Sequence, residues 1–98
     1  MKPSLELEKH REAIRELVHK YGLHNPRIFG SVAKGTDTEA SDLDLLVDAG
    51  KKTSLFDIGG LYEELSALLS CPVHVLTPNE IRTDIRAKVL FYAIPLCP

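Results

Sequence analysis

The sequence has no tryptophan, one methionine and two cysteines, and only 6% of its residues are aromatic. The two cysteines, Cys71 and Cys97, form no CxxC pair and no disulfide framework. They are expected to be reduced thiols in a cytoplasmic protein. Neither charge dominates: 12 Lys and Arg stand against 14 Asp and Glu, a net charge of -2. With no basic block either, strong nucleic-acid binding is not expected. Long hydrophobic runs are missing. The longest, Val89 to Leu96, falls well short of the roughly 20 residues of a membrane span. The start, Met1 to Glu6, has no apolar stretch of a signal peptide, so no membrane partner is expected. No repeat, low-complexity stretch or linker divides the chain, which reads as one domain over residues 1–98.

What is present suffices for a core. A chain of this mass exposes about 15,800 Å² unfolded and about 5,600 Å² folded, so roughly 65% of its surface is buried without metal or disulfide support. Leu7, Ile14, Leu17, Val18 and Tyr21 share one face of a helix over about Leu5 to Tyr21. Ser4 is expected to cap it and Gly22 to end it. His24-Asn25-Pro26 reads as a turn, and Arg27-Ile28-Phe29 as a short strand. Leu43 to Val47 is the clearest strand, and Asp48-Ala49-Gly50 reads as the turn that ends it. Ser54 and Asp57 open a helix whose stripe is Ile58, Leu61, Leu65, Leu68 and Leu69. Pro72 to Leu76 reads as a third strand. Thr77-Pro78-Asn79-Glu80 reads as the start of a last helix carrying Ile81, Ile85, Val89 and Tyr92, with Pro95 as its stop. The order α-β-(α)-β-α-β-α predicts an α/β (α+β) layer fold around a small sheet, with the second and third strands parallel. The run Val89 to Leu96 is expected to pack on the domain's own core, with a partner interface over part of it as the alternative.

One stretch carries chemistry: Gly30-Ser31-Val32-Ala33-Lys34-Gly35, followed after six residues by Asp42-Leu43-Asp44. Glycines allow a tight turn and close approach to a ligand. Ser31 adds a hydroxyl, and backbone N–H groups there can face phosphate oxygens. Asp42 and Asp44, two apart on a predicted strand, point to one face. Two adjacent carboxylates repel unless a cation joins them, and Mg²⁺ suits a few carboxylates plus substrate phosphates. The combination outlines metal-assisted phosphoryl or nucleotidyl transfer.

Gly30-Ser31 to Gly35 with Ser41-Asp42-Leu43-Asp44 resembles the GSxxxG…DxD signature of the DNA polymerase β-like nucleotidyltransferase superfamily. The small size is similar to its minimal nucleotidyltransferase branch, which includes MntA-type antitoxins. The resemblance runs through Ser54 to Asp57, Leu61 to Leu65 and Val75 to Pro78. It implies an α-β-α-β-α-β core with a mixed three-stranded sheet. It also implies transfer of a nucleoside monophosphate, AMP from ATP in this branch, to a hydroxyl. By the same resemblance Gly30 and Ser31 hold the triphosphate, Lys34 meets a phosphate as a point charge, and Asp42 and Asp44 bind Mg²⁺ or Mn²⁺. The implied partner is a helical HEPN-type toxin, and a homo-oligomer is a further expectation.

The chain departs from the family at one place. Where relatives carry a third carboxylate, Val73-His74-Val75-Leu76 has His74. Imidazole is a poor ligand for Mg²⁺, so His74 reads as a general base, an alternative ligand or an inert replacement. This leaves a second function open, an antitoxin that neutralises its partner by contact. A third, adenylylation of a small molecule such as an aminoglycoside, usually calls for an additional substrate domain. His10, His19 and His24 have no ligand spacing and read as surface residues. Arg82, Arg86 and Lys88, at helical spacing, read first as a solvated helix face, with contact to a triphosphate or a partner as the alternative.

Overall fold

A computed structural model describes residues 1–96; the thiol expected at Cys97 lies outside the described residues. Helix α1 spans Pro3–Lys20. Pro3, not Ser4, sets its start: proline at the first helical position gives up no needed N–H, and Lys2 is the N-cap. Ser4 lies inside the helix, and its N–H donates to Asp37 at 2.9 Å. Glu8–Arg11 and Glu12–Arg15 pairs line the solvent side. Leu7, Ile14 and Val18 face inward. Gly22, at φ +73°, ends the helix as expected. Its N–H donates to His19 O and that of Leu23 to Val18 O, which satisfies the last carbonyls.

Strand β1 runs His24–Phe29, longer than expected. The predicted turn at His24-Asn25-Pro26 is absorbed into it as an irregularity: the register with its neighbour shifts between His24 and Arg27, and Asn25 takes φ +50°. Helix α2 is the short Gly30–Lys34, closed by Gly35 at φ +71°. Strand β2 is Leu43–Asp48. Asp48 belongs to the strand rather than to a turn, because Arg27 on β1 holds its carboxylate at 2.7 Å. Helix α3, Leu55–Leu68, begins with the reciprocal Ser54–Asp57 cap that the sequence predicts. It crosses over to β3, Val73–Leu76, which lies parallel to β2.

The chain then departs from expectation. The Thr77–Glu80 cap forms, yet it opens only a single 3-10 turn, η1, Pro78–Glu80. Ile81 is 6% exposed and extended, and its burial breaks the predicted continuous helix. Helix α4, Thr83–Tyr92, starts afresh and buries none of its side chains. Arg86 ties it back by donating to Ile81 O at 2.9 Å. Pro95 does not simply stop a helix. Ile94–Pro95 forms β4, antiparallel to β1, and Leu96 N–H continues the pairing to Pro26 O. Proline is tolerated there because the strand lies at an edge. The sheet therefore has four strands, ordered β3-β2-β1-β4, where three were expected. The run Val89 to Leu96 divides: Leu96 is buried, whereas Leu90, Phe91, Tyr92 and Ile94 are exposed.

The core lies between one sheet face and the pair α1 and α3. Ile28, Leu43, Leu45, Val47 and Val73 meet Leu7, Ile14, Val18, Leu61 and Leu65 there. Glu6, at 2% exposure, accepts hydrogen bonds from Ser70 N–H and Oγ at 2.5 and 2.6 Å, fastening α1 to the turn before β3. Cys71 is a buried free thiol, and burial pushes its pKa up. No helix among the described residues is long and apolar enough to cross a membrane.

Candidate functional site

Alternation along β2 sends Leu43, Leu45 and Val47 to the core and Asp44, Leu46 and Asp48 to the opposite face. Register then sets a row across three strands. Asp44 stands opposite His74 on β3 and opposite Phe29 on β1. Directly paired residues share a face, so His74, Asp44 and Phe29 are aligned on the side away from the α1–α3 core. Gly30 follows Phe29 at φ +72°. A Cβ at Gly30 would collide with the Asp44 carboxylate. Glycine is thus needed there twice, for its backbone conformation and for the space the carboxylate occupies.

Asp42 was expected on the strand; it precedes β2 by one residue. Its carboxylate still reaches the same place. His74 Nε2 lies 3.3 Å from Asp42 Oδ2, and His74 Nδ1 lies 3.1 Å from Asp44 Oδ1. The ring bridges the two carboxylates. Burial pushes the Asp44 pKa up, the His74 contacts work against that rise, and the nearby Asp42 adds to it. Asp44 is 21% exposed and His74 57%, so the pair opens to solvent on the β3 side.

Two carboxylates converging on one basic group form a donor set for a hard divalent cation whose other ligands come from phosphate and water. The set fits Mg²⁺ or Mn²⁺ in that limited sense. Among the described residues no three His, Cys, Asp or Glu side chains group around a metal position. His74 Nδ1 is hydrogen-bonded to Asp44 and its Nε2 lies within ion-pair distance of Asp42, so the ring is placed between the two carboxylates. Ser31 follows Gly30 in the first turn of α2, and its carbonyl accepts the Thr36 N–H at 2.9 Å.

Lys34, at the far end of α2, lines a cavity of about 260 Å³ that reaches Gly30. Phe29, Lys88, Val89 and Tyr92 line it too. Sequence offered Lys88 as a contact to a triphosphate or a partner but had not joined Phe29, Val89 and Tyr92 to the motif. Two signals pointed to them: Phe29 adjoins Gly30, and Lys88, Val89 and Tyr92 share one helical face. Of the cations taken as a solvated face, Lys88 lines this cavity, Arg86 is spent on backbone carbonyls, and Arg82 pairs with Asp84. Asp48 is held by Arg27 and Asn25. His24 lies at the opposite end of β1 from Gly30.

Comparison with known proteins identifies the family and the fold. The family described as "Nucleotidyltransferase domain" matches residues 7–96. "Putative protein adenylyltransferase MJ0435" of Methanocaldococcus jannaschii is 36% identical over 84 residues, 86% of this chain and 90% of that protein. "Protein adenylyltransferase MntA" of Thermococcus cleftensis is 33% identical over 84 residues, 86% of this chain and 82% of that protein. A solved structure titled "Structure of putative minimal nucleotidyltransferase" superposes with a TM-score of 0.84 at 37% identity, covering 97% of this chain and 96% of the other. One titled "Crystal structure of the toxin-antitoxin with AMP-PNP" shares the fold at a TM-score of 0.74 and 22% identity, over 89% of this chain and 72% of that one. By motif, geometry and likeness, the chain belongs to the nucleotidyltransferase domain family.

Proposed function

We propose that this chain is an adenylyltransferase that moves AMP from ATP to a hydroxyl of a partner protein. That partner would be a helical HEPN-type toxin, and the chain its cytoplasmic antitoxin, acting as one domain. The observation that carries the reading is the Asp44 carboxylate against the bare α-carbon of Gly30, with Asp42 brought beside it across the His74 ring. Relatives named as protein adenylyltransferases support the reaction, and the fold neighbour titled as a toxin-antitoxin with AMP-PNP supports the setting. Asp42 and Asp44 would hold Mg²⁺ or Mn²⁺, which when bound offsets charge on the polyphosphate. Gly30 admits the phosphates to the carboxylates, Ser31 Oγ donates a hydrogen bond to them, and Lys34 contributes a point charge. In the reaction the acceptor oxygen bonds to the α-phosphorus and the bond to the bridging oxygen breaks. Pyrophosphate leaves, and the hydroxyl proton passes to solvent.

A second reading rests on His74. Its ring lies against both carboxylates, at the position to which the family resemblance assigns a third one, which favours a contact antitoxin with weakened catalysis. Labelled ATP and the partner that co-purifies with the chain separate the two. Label on the partner, lost in the folded Asp42→Asn/Asp44→Asn variant, supports transfer. An unlabelled partner that is still neutralised in a stable complex supports contact. Failure of the wild-type chain to bind ATP with Mg²⁺ or Mn²⁺ would remove the transferase reading.

A further inference from the structure

We propose that the slot between α2 and α4 is the seat of the nucleobase, an assignment that rests on the transferase reading above. Its position is the first argument. Phe29, which lines the slot, stands directly opposite Asp44, and Gly30 both lines the slot and lies against the Asp44 carboxylate. The slot therefore opens one strand away from Asp44, on the side opposite His74.

Its chemistry is the second argument. Phe29, Ala33 and Val89 give apolar walls, Tyr92 adds a second aromatic ring, and the charged lining residues are Lys34 and Lys88. A flat apolar body bearing an anionic tail complements that lining: bases stack on aromatic rings, and lysines take phosphates as point charges. Size is the third. At about 260 Å³ the slot is smaller than the roughly 300–1,000 Å³ that encloses a whole drug-sized ligand. It holds the base and leaves the phosphates at the rim. Finally, α4 buries no side chain in the fold, although Ile85, Val89 and Tyr92 line the slot from one face of it. An inserted base supplies the contact that this stripe lacks.

The test uses the full chain with Mg²⁺ and three probes: ATP, adenosine and inorganic tripolyphosphate, each competed against a fluorescent ATP analogue. Val89→Phe fills the slot. It should weaken ATP and adenosine at least tenfold and leave tripolyphosphate within twofold. Lys88→Ala should weaken ATP and tripolyphosphate about threefold or more and leave adenosine within twofold. If Val89→Phe also loses tripolyphosphate, Val89→Ala decides, since it removes methyl groups without crowding. Weaker adenosine with unchanged tripolyphosphate then supports the seat, and no change overturns it. Wild-type ATP binding that Val89→Phe leaves intact overturns the seat while the transferase reading stands. No ATP binding by the wild-type chain overturns both.

Discussion

Alanine at Gly30 and at Gly35 separates backbone strain from the placement of Asp44. The two glycines have nearly the same conformation, φ +72° and +71°. A side chain in this region costs about 1–2 kcal/mol. For a domain of this size, each kcal/mol lowers the melting temperature by about 4–8 °C. Both variants should therefore melt roughly 4–16 °C lower. The environments differ: a Cβ at Gly35 meets nothing within 4 Å, whereas one at Gly30 collides with the Asp44 carboxylate. The carboxylate is the movable end of a side chain, so Asp44 must rotate and give up its 3.1 Å contact with His74. One of the two charges offered to a cation then leaves its place. Two unit charges about 4 Å apart interact by about 4 kcal/mol at an effective dielectric of about 20. Losing half of that is about 2 kcal/mol, roughly 30-fold in affinity. Titration calorimetry with Mn²⁺ and a non-hydrolysable ATP analogue, alongside thermal denaturation by circular dichroism, reads both effects. Gly30→Ala should lose about 30-fold in binding and Gly35→Ala less than threefold. Equal binding by the two variants, at equal stability, would refute the claim that Gly30 is there to make room for Asp44.

Other expectations follow from the same contacts. Hydrogen bonds from Ser70 hold the Glu6 pKa below its usual range. The native state then binds fewer protons than the unfolded one, so this stabilisation is present at neutral pH and lost on acidification. Glu6→Gln should melt lower than wild type at pH 7, with the gap closing below about pH 4; a gap that does not change with pH would disprove the assignment. Ser54→Ala breaks the reciprocal cap of α3 and should remove about 1 kcal/mol in urea unfolding. An unchanged midpoint would mean that the cap is not stabilising. His74→Asp restores a carboxylate and should raise Mg²⁺-dependent transfer more than tenfold in a labelled-AMP assay, with ATP affinity little changed. Slower transfer would instead mark His74 as a general base.

Features written in local chemistry were legible before the structure was known. The Ser54–Asp57 cap, the αL glycine after α1 and the alternation of β2 each depend on neighbouring residues, and each is found where expected. So is the parallel pairing of β2 with β3, which follows from the long connection through α3. Features decided by distant partners were not legible. Ile94–Pro95 is too short to show a period, and β1 makes it a strand. The Thr77 cap gave a correct start and a wrong length, because Ile81 gains more from burial than from helix. Ser4 has the chemistry of a cap, yet Pro3 ahead of it had already begun the helix. At the site, Asp44 lies against Gly30, and Asp42 reaches it across His74 from just outside the strand. Sequence identified His74 only as a replacement. The register of β3 against β2 turned it into a bridge between the two carboxylates.

Helix α4 is fastened at its ends, by Arg86 to η1 and by β4 to the sheet, and it contributes no side chain to the packed interior. The work of staying folded and the work of shaping the cavity wall are therefore done by different residues. Substitutions along α4 can change that wall while the α1–α3 core stays as it is. The shape and charge of that cavity can change through one surface helix while the carboxylates, the glycine and the sheet register stay intact.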